Sequence, residues 1–264
     1  MAITTLDGVI GAPKQRVPMT KTASRTAVAA IPFTVYDQTG NPGAATLAGT
    51  STTTGVVPTD ATTGFPVLNA FGASAKGYIS RIAGSCSIAC TIRVYDMLWK
   101  GGAYAFNAST SGNSPTSYST RVPDGTDFKG LEIWIEQVTV ATGIQSVAIT
   151  YNDQDGNSAT APTQSQAVAG IVGRMTQIPL AAGDSGVQGI TGVVGSVASA
   201  GTFNVLVLRP LGEVRIRAAN DAVVQDFLST GMPEVWTDSA LFFTVSADST
   251  ATGLPEVVAD VIKG

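Results

Sequence analysis

Histidine is absent from all 264 residues, and only 13% of the chain is charged, about half the roughly 25% of an ordinary globular domain. Without imidazole there is no Ser-His-Asp or Cys-His arrangement, no His-ligated zinc and no His-held haem. The commonest general base near neutral pH is missing as well, so an ordinary hydrolase is a poor fit. The 15 basic and 19 acidic residues leave a net charge of −4 and form no basic stripe, so the footprint of a nucleic-acid binder is lacking. No run approaches the ~20 apolar residues of a spanning helix. The start, MAITTLDGVIGAPKQRVPMTK, has no charged segment followed by an apolar one. The expectation is a soluble protein made in a cytoplasm, with no membrane and no specific nucleic acid among its partners.

Cysteine is scarce too: Cys86 and Cys90 are the only two. The segment SCSIACTIRVY (85–95) alternates, with Cys86, Ile88, Cys90, Ile92 and Val94 on one side, which is the period of a half-buried strand. In such a strand the two cysteines lie about 13 Å apart, too far for a disulfide. With no other Cys and no His to complete a metal site, they read as buried free thiols acting as small hydrophobes.

What the chain does have is glycine, small residues and short apolar runs between turn signals. Residues 1–30 carry Lys14, Arg16, Lys21 and Arg25, two prolines and little periodic hydrophobicity, and read as an extended arm that orders against a neighbouring subunit. From Ile31 onward strands are expected at 31–37, 77–83, 86–98, 131–140, 146–151, 168–174, 188–198, 203–209, 213–217 and 240–247. The stretch 44–64 reads as a long surface excursion and 100–127 as loop. In 131–140 the apolar face slips from Leu131, Ile133 and Ile135 to Val138 and Val140, which predicts a β-bulge near Glu136–Gln137. Asp155-Gly156 is a hairpin signal. One helix is expected at 220–230, with Asn220 as N-cap, an apolar stripe of Val223, Val224, Phe227 and Leu228, and Gly231 as the left-handed stop. Regular short strands predict an all-β, jelly-roll-like β-sandwich. The body spans 31–264, with a subdivision near 100–130 left open.

Each candidate for chemistry has a plainer reading. GDSG (183–186) copies a serine-protease signature, yet Ser185 has no histidine to take its proton and reads as a turn. Asn152, Asp153, Asp155 and Asn157 offer hard oxygen ligands for calcium, but lack EF-hand spacing and its terminal Glu; a hairpin accounts for them. The spaced glycines Gly183, Gly186, Gly189, Gly192 and Gly195 are not followed by Lys-Ser/Thr, and read as turns and close strand packing. Trp99, Trp134 and Trp236 would suit a carbohydrate platform, but each sits in a strand-like run that favours burial. An enzyme would have to work with carboxylates such as Glu132, Glu136, Asp124 or Asp127, paired about 5–9 Å apart. No catalytic, cofactor or metal site is assigned.

Four segments then resemble a known family. They are LEIWIEQVTVATGIQSVAITYNDQDGNSAT (131–160), IPLAAGDSGVQGITGVVGSVASAGTFNVLVLRPL (178–211), the helical segment 220–230 and MPEVWTDSALFFTVSADSTATG (232–253). In running a Thr-Tyr-Asn strand end into a Gln-Asp-Gly turn, then Gly-Asp-x-Gly-Val, then Leu-Arg-Pro-Leu, they are similar to virion structural proteins of tailed bacteriophages. The resemblance covers about the C-terminal half. It implies a non-enzymatic capsid decoration or cement protein, a homo-oligomer docked on the major capsid protein or another virion protein and assembled in the host cytoplasm. Lys14, Arg16, Lys21 and Arg25 are the expected contacts with an acidic shell. A tail, collar or fibre-base component, or a carbohydrate-binding module, is the alternative.

Overall fold

The computed structural model describes residues 3, 5–72, 76–111, 115–166, 170–195 and 199–264. In chain order a short helix α1 (Leu6–Gly11) precedes β1 (Lys14–Lys21), β2 (Pro32–Thr34), β3 (Gly40–Asn41), β4 (Ser51–Val56), β5 (Gly77–Cys86), β6 (Cys90–Ala105) and β7 (Ser109–Ser111). Then follow β8 (Glu132–Gln137), β9 (Gln145–Asp153), β10 (Ser158–Thr160), β11 (Gln164–Gln166), β12 (Met175–Ile178), β13 (Val187–Gly195) and β14 (Thr202–Ile216). The chain ends with β15 (Ala222–Gln225), the single-turn α2 (Phe227–Thr230), β16 (Glu234–Val235), β17 (Leu241–Ala247) and β18 (Pro255–Lys263). The fold class is all-β, built of antiparallel sandwiches.

Two compact units share this chain. The first takes Met1–Ala45, Thr59–Asp96 and Leu211–Gly264, and the second takes Thr46–Pro58 and Met97–Pro210. The chain therefore crosses between them four times, at 45/46, 58/59, 96/97 and 210/211.

In the first unit the main sheet runs β15-β5-β18-β1-β3, with β16 also on β5. The second layer holds β17 between β2 and the Cys90–Asp96 part of β6. Period-two alternation aims one face of each layer inward: Val17 and Met19 of β1, Val257, Ala259 and Val261 of β18, and Ile92, Val94, Phe243 and Val245 opposite them form one core. The N-terminal segment is thus no arm along its whole length. Lys14 through Thr20 pair residue by residue with Ile262 through Glu256. Alternating Lys, Arg and Pro on the outward side hid the inward Val17-x-Met19 from a hydrophobicity reading.

The predicted helix at 220–230 shrinks in the same way. Val223 and Val224 lie in β15, where Ala222–Gln225 pair with Ser85–Ile82 of β5. Asn220 is left-handed (φ 60°) instead of capping. Ladder hydrogen bonds to an existing strand outweigh a stripe whose β-branched pair favours extended backbone. Helix begins at Phe227, capped by the Asp226 carboxylate, which accepts from Leu228 and Ser229 N–H, and it ends at left-handed Gly231 as expected.

In the second unit a sheet ordered β10-β9-β13-β7, with β11 also on β9, faces β12-β8-β14 and the Met97–Ala105 part of β6. Ile133 and Ile135 of β8, Val205 and Val207 of β14, Ile149 and Tyr151 of β9, and Ile190 and Val193 of β13 fill the space between. Phe106 stacks on Phe203 with centroids 4.4 Å apart. The bulge anticipated near Glu136–Gln137 lies just beyond it, where Val138 and Thr139 N–H both donate to the Thr202 carbonyl. Residues 203–209 and 213–217, expected as two strands, form the single long β14. The strand expected at 168–174 falls partly outside the described residues; Gly170–Arg174 is not strand and β12 begins at Met175. The end of the 188–198 expectation, 196–198, lies outside them too.

If β1 belongs to the core, Met19→Ala lowers unfolding free energy by about 2–5 kcal/mol, the cost of emptying a buried methionine site. A urea titration measures this. An independent arm would show no change.

Candidate functional site

The four basic residues expected to reach a partner divide into two pairs. Lys14 and Arg16 point outward from β1 and are exposed. Arg16 also makes an ion pair at 3.4 Å with buried Asp260, which Arg81 meets at the same distance from the other side. Lys21 and Arg25 are buried. The Lys21 ammonium donates to the carbonyls of Pro42 (2.9 Å), Gln38 (3.1 Å) and Tyr36 (3.5 Å), and burial lowers its pKa against the opposing pull of Asp37. Arg25 is ion-paired with Asp37. These two hold the chain around 36–42 and are removed from the contact set, because period-two alternation turns position 21 toward the same side as 17 and 19.

Exposed apolar side chains add to the outward pair. On α1, Leu6 and Ile10 are 54% and 72% exposed and share one face by their i, i+4 spacing. An open pocket of about 140 Å³ is lined by Lys14, Gln15, Asn69, Phe71, Val261 and Lys263, among others. Gln15 anchors the neighbouring chain, donating to the Val67 carbonyl at 2.9 Å and accepting from Asn69 N–H at 2.7 Å. Residues 6–16 therefore bring apolar area, cationic groups and a concavity together on one unit. Lys263 and the pocket were not legible in sequence, since only the β1–β18 pairing carries residue 263 to residue 14.

The remaining motifs resolve into structural roles. In GDSG, exposed Ser185 donates its N–H to Gln154 Oε1 at 2.8 Å and lends its carbonyl to Gly130 N–H at 2.7 Å. Gly186 lies so close to the Phe128 carbonyl that any Cβ there would collide with it. Asp184 accepts at 2.6 Å from the Tyr151 hydroxyl, which itself accepts from Ala181 N–H at 2.7 Å. Burial, and next the bond to Asp184, push the Tyr151 phenol up to about 12. Asp153 turns its Oδ1 inward onto the N–H groups of Asp155 and Asn157, both at 2.8 Å. Burial alone would raise that carboxyl, but these hydrogen bonds prevail and its pKa is lowered. Among the described residues no group of three His, Cys, Asp or Glu could hold a metal.

Trp99 and Trp134 are buried, with Nε1 on the Thr54 carbonyl (3.0 Å) and on Glu132 (2.7 Å), and Trp236 is half-buried. None is a flat exposed platform. Asp124 and Asp127 are exposed, and Asp127 accepts from Lys129 N–H at 3.2 Å. Glu132 and Glu136 share one face of β8 about 13 Å apart along it.

The cysteines are buried and free as expected, but the strand that carries them is not continuous. Cys86 ends β5 and Cys90 begins β6, with a turn between them at 87–89, so the continuous strand read from 86 to 98 is broken. The two thiols are buried, free and hydrogen-bonded to each other. That bond draws Cys86 down to about 7 and pushes Cys90 up, with burial adding to the rise. Alternation persists through the turn, so a period-two reading could not detect it.

No family model and no curated protein matches the chain. Among solved structures, a chain from infectious bursal disease virus, Gt strain, is 10% identical with a TM-score of 0.20 over 96% of this chain and 81% of that one. The VP2 subviral particle of the same virus gives 9% identity and a TM-score of 0.17 over 96% and 80%. Likeness this slight transfers neither fold nor role. No helix among the described residues is long and apolar enough to cross a membrane.

Two measurements check these assignments. Lys21→Met, which removes the buried donor to the Gln38 and Pro42 carbonyls, lowers stability by about 1–3 kcal/mol, while Lys14→Glu changes it by less than about 0.5 kcal/mol. Tyr151→Phe costs roughly 1.5–3 kcal/mol and also alters the pH profile. The raised phenol gives a contribution that is complete below the free-tyrosine pKa of about 10 and is lost as pH climbs from there toward the folded value. Chemical denaturation across pH 8–12, a range spanning roughly both values, therefore shows a steeper alkaline decline for the parent than for the variant.

Proposed function

We propose that this chain is a non-enzymatic structural protein of a tailed-bacteriophage virion, a capsid decoration or cement subunit that self-associates and docks on the major capsid protein or another virion protein. The observation that carries the reading is the surface along residues 6–16: Leu6 and Ile10 exposed on α1, followed by outward Lys14 and Arg16 on a sheet anchored in the core. Repeated assembly needs this combination, an apolar patch for subunit contact beside cationic groups that orient it on an acidic partner. The resemblance of residues 131–253 to virion proteins of this kind supports the same reading, as does a composition spent on strands and turns. In this role the protein acts without a cofactor and resides in the virion.

The test uses Leu6→Asp/Ile10→Asp and Lys14→Glu, at exposed positions, and leaves Arg16 in place because it pairs with buried Asp260. Sedimentation of the purified protein gives the oligomer mass, and quantitative mass spectrometry of particles gives copy number. The apolar variant dissociates to smaller species. The charge-reversed variant stays folded and oligomeric, while its affinity for particles falls at least about tenfold, equivalent to about 1.4 kcal/mol. Both variants at parental mass and occupancy would overturn the reading.

A further inference from the structure

One cluster in the second unit is used by nothing above. On β14, Asn204 stands directly opposite Glu136 of β8, on the side of the sheet turned away from the core-facing Ile135 and Val205. Lys100 lies on β6, the next strand beyond β14, so a lysine, an asparagine and a glutamate occupy three consecutive strands with the asparagine in the middle. All three are withdrawn from solvent: Glu136 and Asn204 are 0% exposed and Lys100 is 7% exposed. Lys and Glu are almost never this deeply buried unless paired.

The contacts are directional. Glu136 Oε2 accepts from Asn204 Nδ2 at 2.7 Å and lies 3.6 Å from Lys100 Nζ, while Glu136 Oε1 is buried without a hydrogen-bond partner among the described residues. The carboxamide of Asn204 is fixed at both ends: Nδ2 also donates to the Leu47 carbonyl at 2.7 Å, and Oδ1 accepts from Gly49 N–H at 2.8 Å. Gly102 lies against it, where a Cβ would collide with Oδ1. An amine, an amide whose oxygen is held by a backbone donor, and one carboxylate reaching both nitrogens are the components of acyl transfer.

We propose that Lys100 and Asn204 condense within the folded chain into a side-chain isopeptide bond, with Glu136 as the proton carrier. Glu136 takes a proton from the Lys100 ammonium, and the freed Nζ attacks Cγ of Asn204, forming the Nζ–Cγ bond. Negative charge developing on Oδ1 meets the Gly49 N–H. As the intermediate collapses, Nζ gives up a second proton, the Cγ–Nδ2 bond breaks, and Nδ2 leaves with both protons as ammonium. The exchange is redox-neutral and needs no co-reactant. Burial favours it by excluding the water that would compete as nucleophile. The product is a covalent tie between β6 and β14, independent of whether the protein decorates a capsid.

Intact-mass spectrometry of the folded, purified wild-type chain decides the matter without a variant. The expected mass lies below the sequence mass by one ammonia, and a tryptic digest yields a branched peptide joining Lys100 to Asn204. Glu136→Ala and Lys100→Arg, where they fold, run at full sequence mass for their composition and give only linear peptides. A folded wild-type chain at full sequence mass, or an ammonia loss mapped to another residue, overturns the proposal.

Discussion

The first unit hangs on the insertion of β18 between β5 and β1. Residues 255–263 pair on one side with 77–86 and on the other with 14–20, so this strand closes a sheet whose other members come from distant parts of the chain. Its inward Val257, Ala259 and Val261 sit at the centre of that unit's core. Remove it and β1 loses its principal partner, the Lys14–Lys263 pocket loses one wall, and the exposed surface on 6–16 loses its footing. Contacts of this sequence separation are slow to form because loop closure precedes any gain from them.

A charge-poor composition invites the idea that the few ionic groups lie on the surface for solubility. The structure places many of them inside. Asp96 accepts from Ser239 and Ala240. Fully buried Arg121 donates to the Pro58 and Met97 carbonyls. Lys21 gathers three carbonyls, and Glu136 holds Asn204 and Lys100. These buried groups have partners that offset part of their desolvation, and Lys21 pins irregular backbone around 36–42 that apolar packing alone would leave unspecified. Scarce charge is thus used as internal fastening, and the outward pair Lys14 and Arg16 stand out against it.

Much of the architecture was legible because alternation is a strong signal: β5, β9, β13, β14 and β17 fall close to their expected places, and the Asp155-Gly156 hairpin and the Gly231 stop are where turn chemistry put them. What failed did so for identifiable reasons. β1 was masked by outward charges and a proline, and the helix at 220–230 gave way to a strand because β5 had an edge to offer. The cysteine turn kept the strand period through its corner. Of the expected contact residues, the exposure of Lys14 and Arg16 could be read from polarity, but the burial of Lys21 depended on which face of an unrecognised strand it occupied, and that of Arg25 on its pairing with Asp37. The Lys100, Glu136 and Asn204 cluster was beyond sequence altogether, because strand order in a sheet is a tertiary fact.

Among the strands of its sheet, β1 is joined by β3 only at Thr20 and Lys21, and its first part carries Lys14, Arg16 and Pro18. During synthesis this segment exists long before β18 does, as an apolar-faced strand with neither side satisfied. Charged residues and a proline, which has no N–H to offer, are the substitutions that keep such strands from joining one another. The same features that concealed β1 as a strand therefore act as protection against aggregation while the nascent chain waits for its partner.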